Sequence, residues 1–106
     1  MSTNRSAALV ALGDPTRLAI FERLLERPQP VGELANELPV SRPAVSHHLR
    51  VLTGAGLVQH RAVGTRRIYR VDPDGVAALR EQLDVFWNQA LAAYKATVKP
   101  STEEDQ

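Results

Sequence analysis

Between Ser41 and Val71 the chain carries six arginines (Arg42, Arg50, Arg61, Arg66, Arg67 and Arg70), all three of its histidines (His47, His48 and His60) and no Asp or Glu. Guanidinium groups gathered this way suit one chemistry above others: they hold phosphate oxygens and can bind the edge of guanine bidentately, with Ser and His as more permissive readers beside them. Thirteen Lys and Arg in the whole chain face twelve Asp and Glu, so with six of the basic residues gathered here, at a local +6, the rest of the molecule sums to −5. Charge sorted to this degree, on a chain whose net charge is only +1, is the electrostatic footprint of a surface that meets a phosphate backbone.

Other chemistries find less support. There is no cysteine, which removes disulfides, thiolate metal sites and cysteine redox switches together. No glycine-rich phosphate loop and no Ser, His and acid constellation beyond scattered residues is present, so no catalytic residue and no cofactor are expected. Adjacent His47 and His48 cannot share one helical face, and no metal ligand set is expected from them. A metal site formed across a dimer by carboxylates and His60 stays open, with nothing to encourage it.

These cations must be placed by secondary structure, and the flanking sequence supplies it. Leu9, Val10 and Leu12 suggest a short first helix closed by Gly13. Asp14 then Pro15 is a strong helix start, because the carboxylate accepts from orphan backbone donors and proline fits the first turn. Leu18, Ile20, Phe21, Leu24 and Leu25 keep helical spacing up to Arg27, and Pro28-Gln29-Pro30 ends the run. Val31, Leu34, Ala35 and Leu38 then mark a two-turn helix that Pro39 stops. Ser41 caps the next helix, Pro43 sits harmlessly in its first turn, Val45, Leu49 and Leu52 form its buried stripe, and Gly54-Ala55-Gly56 ends it. Two short helices joined by such a turn form a helix-turn-helix.

Segments 57–63 and 66–71 flank Gly64-Thr65 and read as a two-stranded hairpin with arginines at its tip. Asp72 or Asp74 opens a long last helix whose apolar positions Val76, Leu79, Leu83, Phe86, Trp87, Ala90, Leu91, Tyr94 and Val98 recur at steps of three and four. The expected fold is mainly α with a small β-hairpin, a winged helix-turn-helix in the order α-α-α-α-β-β-α. Residues 1–98 make one DNA-binding and dimerisation domain and residues 99–106 a polar flexible tail. At 106 residues there is room for one modest core. No stretch approaches the ~20 apolar residues of a membrane helix, the N-terminus lacks a secretion signal, and a cytoplasmic location without membrane contact is the default expectation.

Residues 7–98 resemble the ArsR family of bacterial winged-helix repressors, in the segments ALGDPTRLAIFERL, VGELANELPVSRPAVSHHLRVLTGAGLV and GTRRIYRV, the second being the most specific. The resemblance implies a homodimer held by its first and last helices, with the second helix of each helix-turn-helix in a DNA major groove. In many members a metal ion or other signal releases the repressor. Here the departures matter: the helix VGELANEL lacks the cysteine pair of the arsenic and lead branch, and the last helix offers Asp84 but no histidine for the zinc branch. The chain therefore looks most like members without a recognisable metal site, whose inducer is often unknown.

A turn of about 100° per residue from Val45 places Pro43, Ser46, His47 and Arg50 opposite the core direction, where a groove would lie. Arg42 flanks the helix start and could reach a guanine or a phosphate; Ser41 and Ser46 suit phosphate. Arg61, Arg66 and Arg67 would carry charge over the minor groove or its phosphates, there being no compensating acid at the wing tip. His48 is expected to pack half-buried, and Arg17 either approaches phosphate or pairs with Asp14. Protonating the three histidines would add positive charge near DNA and tighten binding in mild acid.

Leu9, Leu12, Leu79, Leu83, Phe86, Trp87, Leu91 and Tyr94 are expected at the dimer interface; the aromatics favour that over a ligand pocket, since a small domain has little surface left to cover a long terminal helix. These features point to a sequence-specific repressor that binds double-stranded DNA at an inverted repeat, its own promoter being one candidate. The alternative is a winged-helix protein–protein adaptor that reads no sequence.

Overall fold

The computed structural model describes the backbone of residues 3–104 and the side chains of residues 7–98. Helices α1 (Thr3–Leu12) and α2 (Pro15–Glu26) lead to a two-residue strand β1 (Gln29–Pro30), helices α3 (Val31–Glu37) and α4 (Arg42–Gly54), the hairpin β2 (Val58–Val63) and β3 (Arg66–Val71), and a long α5 (Pro73–Glu104). The expected winged helix-turn-helix is present, with one correction. The Pro28-Gln29-Pro30 segment does not merely end a helix: Gln29 pairs with Tyr69 and Pro30 with Ile68, making an antiparallel sheet of order β1-β3-β2. Two residues carry no periodicity, and proline is tolerated in a sheet only on such an edge strand.

Local chemistry sets the element ends. The Asp14 carboxylate accepts from the Thr16 and Arg17 amides at 2.8 and 3.0 Å, and Ser41 Oγ accepts from the Ala44 amide at 3.3 Å. Of the two aspartates that could open the last helix, Asp72 does so, its side chain accepting from the Asp74 amide at 3.0 Å. Gly64 has φ of 65° while Thr65 stays at negative φ, so the two-residue wing turn needs glycine at its first position only, as in a type II′ hairpin.

Ile20, Leu34, Val45, Leu49, Leu52 and Leu57 are fully buried and join α2, α3, α4 and the hairpin in one core. The start of α5 is fixed to that core by a close backbone approach. A Cβ on Gly75 would lie 1.8 Å from the Gly56 carbonyl oxygen, so only glycine lets the helix seat there. Val76 and Leu79 pack on the core, but every side chain from Leu83 to Val98 is exposed and the molecule extends 70 Å along its longest axis. The helix also continues past Lys99, where the polar tail was expected to begin, to Glu104; the last two residues of that tail and all its side chains lie outside the described residues. Among the described residues, no helix is long and apolar enough to cross a membrane.

Candidate nucleic-acid interface

Helix α4 separates its two sides cleanly. Val45, Leu49 and Leu52 are buried, while Pro43, His47 and Arg50 are exposed and Ser46 is partly so. The spacing 43, 46, 47, 50 is the helical i, i+3, i+4, i+7 set, so these four side chains share one outward face. Ser41 stands exposed at the N-terminal end of that face. Arg42 is exposed, and its guanidinium lies over Gly32, where a Cβ would be in ordinary contact at 3.7 Å from its Cζ and both terminal nitrogens.

The wing brings the remaining cations beside this face. Arg61, Arg66 and Arg67 are exposed on β2 and β3, with Ala62 opposite Arg67 and Val63 opposite Arg66. Arg42, Arg66 and Arg67 line one cleft between the start of α3 and the wing turn; a neighbouring cleft, lined by Ser46, Thr65, Arg66, Arg67 and Tyr69, runs from the wing to α4. The structure overturns the reading that the wing tip has no acid near it. Glu33 of α3 places Oε2 3.7 Å from an Arg66 nitrogen. Sequence distance hid this pair, since β1 folds α3 against β3. Among the described residues Arg42, Arg50, Arg61 and Arg67 pair with no acid.

Glu33 belongs to a network that sequence reasoning missed. Arg27 donates to Glu33 Oε1 at 2.9 Å and to Glu37 Oε2 at 3.3 Å; Arg23 meets Glu37 Oε1 at 3.3 Å. Gln29, 1% exposed, donates from Nε2 to Glu33 at 3.3 Å and to Glu37 at 2.9 Å. The hydrogen bond from Arg27, then that from Gln29, hold the Glu33 carboxyl below its ordinary pKa. The signal available was Glu33 and Glu37 at i, i+4 on α3, six and ten residues after Arg27.

Arg17 forms no ion pair with Asp14. Its Nε donates to the Ala11 carbonyl at 2.8 Å, and a terminal nitrogen lies 3.4 Å from His48 Nδ1. His48 is half-buried as expected, and burial, with Arg17 and His47 adding to it against Asp14, pushes its pKa down. His60 stacks obliquely on its cross-strand partner Tyr69, ring centres 5.0 Å apart. Among the described residues no group of three or more His, Asp or Glu side chains is gathered to hold a metal ion.

The expected dimer residues divide into two sets. Leu12 and Leu79 pack on the chain's own core and Leu9 is half-buried. Leu83, Phe86, Trp87, Leu91 and Tyr94 are uncovered, Trp87 and Tyr94 by 66% and 65%. Val10, 70% exposed on α1, and Val85 and Val98 on α5 extend the uncovered apolar surface.

Comparison with known proteins agrees with this geometry. A helix-turn-helix domain family matches residues 12–61, from the end of α1 into β2. The transcriptional regulator Rv2034 of Mycobacterium tuberculosis is 60% identical over 96 residues, covering 89% of this chain and 90% of that one. An ArsR-like transcriptional regulator from Rhodococcus superposes with a TM-score of 0.73 at 33% identity, over 91% of this chain and 93% of its own. The homodimeric winged helix-turn-helix DNA-binding domain of Mb0332 from Mycobacterium bovis, described as a possible ArsR-family regulator, superposes with a TM-score of 0.67 at 28% identity, over 84% and 82%. Relatives matched over most of both chains settle the assignment: this chain belongs to the ArsR family of winged helix-turn-helix proteins and is a DNA-binding transcriptional regulator.

Proposed function

We propose that the chain is a repressor that binds an inverted-repeat operator as a homodimer and acts by covering the promoter. The observation that carries this reading is the division of exposed surface: cations on α4 and the wing, and large apolar side chains left uncovered along α5. In this reading Ser46, His47 and Arg50 meet base edges in the major groove, with Pro43 beside them, and Arg50 supplies most of the discrimination. Ser41 and Arg42 hold phosphates at the start of α4, while Arg61, Arg66 and Arg67 anchor the wing. Leu83, Phe86, Trp87, Leu91 and Tyr94 face the same helix of a second copy, with Leu9 and Val10 of α1 at the edge of that contact. The homodimeric relative supports the pairing, which would set two reading helices about one DNA turn, or a multiple of it, apart.

Fluorescence anisotropy on DNA from the chain's own upstream region and on a shuffled copy, across a salt series, tests the proposal. If three or four arginines per protomer meet phosphate, affinity should fall by roughly three to four decades between 50 and 200 mM salt, with the native fragment bound more tightly throughout. Weak, salt-insensitive and equal binding to both fragments would remove the operator reading and favour the adaptor.

A further inference from the structure

Within the cleft lined by Gly32, Glu33, Arg42, Thr65, Arg66 and Arg67, three cations and one carboxylate face each other across open solvent. The carboxylate is not a loose surface group. Its Oε1 is held from behind by Arg27 at 2.9 Å and by the buried Gln29 amide at 3.3 Å, and Gln29 is itself fixed by its pairing with Tyr69 in the sheet. Its Oε2 is turned the other way, toward the wing, and meets Arg66 at 3.7 Å. That distance is too long for a hydrogen bond and short enough for attraction between full charges. Both side chains are substantially exposed, 60% for Arg66 and 42% for Glu33, so the pair is weak and open to exchange.

We propose that in the DNA-free protein Glu33 holds the wing arginine Arg66 as a backbone phosphate holds it in the complex, so that Arg66 must exchange an intramolecular carboxylate for phosphate when DNA binds. The inference rests on the DNA-binding reading of the wing. A phosphate entering the cleft offers Arg66 two oxygens at hydrogen-bonding distance, and Arg42 and Arg67 add attraction from the rim. The same phosphate is repelled by Glu33, which Arg27 and Gln29 keep in place. Glu33 thereby lowers affinity for every DNA sequence alike, because the contact it opposes is to the backbone. It weakens specific and non-specific binding together and leaves the ratio between them unchanged.

The test is a double-mutant cycle on the dimer, with an operator fragment and a shuffled fragment. Glu33→Gln keeps the shape and can still accept from Arg27 and Gln29. It should tighten binding to both fragments by about three- to ten-fold near 0.1 M salt, and steepen the salt slope by about one per protomer. Arg66→Ala should weaken both, and Glu33→Gln should gain clearly less in the Arg66→Ala background, where only its repulsion of the phosphate is left to remove. Unchanged or weaker binding by a folded Glu33→Gln protein would overturn the proposal, since a carboxylate that merely aims Arg66 gives that result. A full gain in the absence of Arg66 would overturn it as well. The unmutated protein supplies a check that needs no variant: carbon NMR of the Glu33 carboxyl should show it titrating higher with the operator bound than without, and an equal or lower value would also count against displacement. Failure of the DNA reading itself is distinguishable, because the wild-type protein would then show no salt-dependent binding at all.

Discussion

Helices α4 and α5 start alike, each opened by a side-chain oxygen and each seating its first apolar residues in the same core, and then diverge. The stripe of α4 is completed within the chain: Val45, Leu49 and Leu52 are 0% exposed. The stripe of α5 runs beyond the domain, leaving Phe86 48% and Trp87 66% exposed. One helix therefore shows the solvent a polar, cationic face, and the other an apolar face. A helix whose burial is finished is free to offer charge to a polyanion, while one whose burial is unfinished calls for protein. The two surfaces of this fold thus ask for two partners of opposite character.

Cutting the two stripes should break different things. Leu49→Ala empties a fully buried site shared by several elements and should cost about 2–5 kcal/mol in denaturant unfolding. Trp87→Glu places a charge on the uncovered stripe and should leave the helix-turn-helix folded, by circular dichroism, while shifting sedimentation to the monomer. Losing the linked second half-site should then weaken operator binding about 100-fold. A Trp87→Glu protein that stays dimeric, or a Leu49→Ala protein as stable as the wild type, would show that burial on the two helices does not divide as described.

The contrast between reading and anchoring is finer. Arg50→Ala, on the outward face of α4, should reduce the preference for operator over shuffled DNA about ten-fold, the size of one guanine contact. Arg67→Ala, in the wing, should weaken binding to both fragments by a similar factor and leave the preference unchanged. Equal losses in preference from both would erase the distinction between the helix and the wing.

How much of this was legible in the sequence depends on the range of the interaction. The caps at Asp14 and Ser41, the stripe of α4 and the Gly64-Thr65 turn are local, and each could be read from residues within one or two helical turns. The strand Gln29–Pro30 was not, because a two-residue edge strand is defined by a partner 38 to 40 positions away, Ile68 and Tyr69. The Glu33–Arg66 contact depends on the same closure, and the Arg17–His48 contact on the packing of α2 against α4. Leu12 and Leu79 illustrate a different limit: spacing identifies an apolar stripe but not where along it the chain's own core ends and uncovered surface begins.

The smallest expected effect lies where α2 meets α4. Arginine can only donate, so the 3.4 Å approach of Arg17 to Nδ1 of His48 calls for a neutral imidazole with its proton on Nε2. Burial first, then the charges of Arg17 and His47, hold the folded pKa of His48 below its ordinary 6.5, with Asp14 opposing. For a base depressed in the fold, the unfolded chain binds the proton more readily. The stability is then fully present above about pH 6.5 and is lost as pH falls from there toward the folded value. The depressed Asp14 and Glu33 carboxyls lose their contributions only in the carboxylate range, below their ordinary 3.8 and 4.5, so a scan from pH 7.5 to 5.5 isolates the histidine. The thermal midpoint of the wild-type protein should fall across that scan, and that of His48→Gln, whose amide oxygen can accept from Arg17 without taking up a proton, should fall less. Equal slopes would show that Arg17 does not depend on a neutral His48.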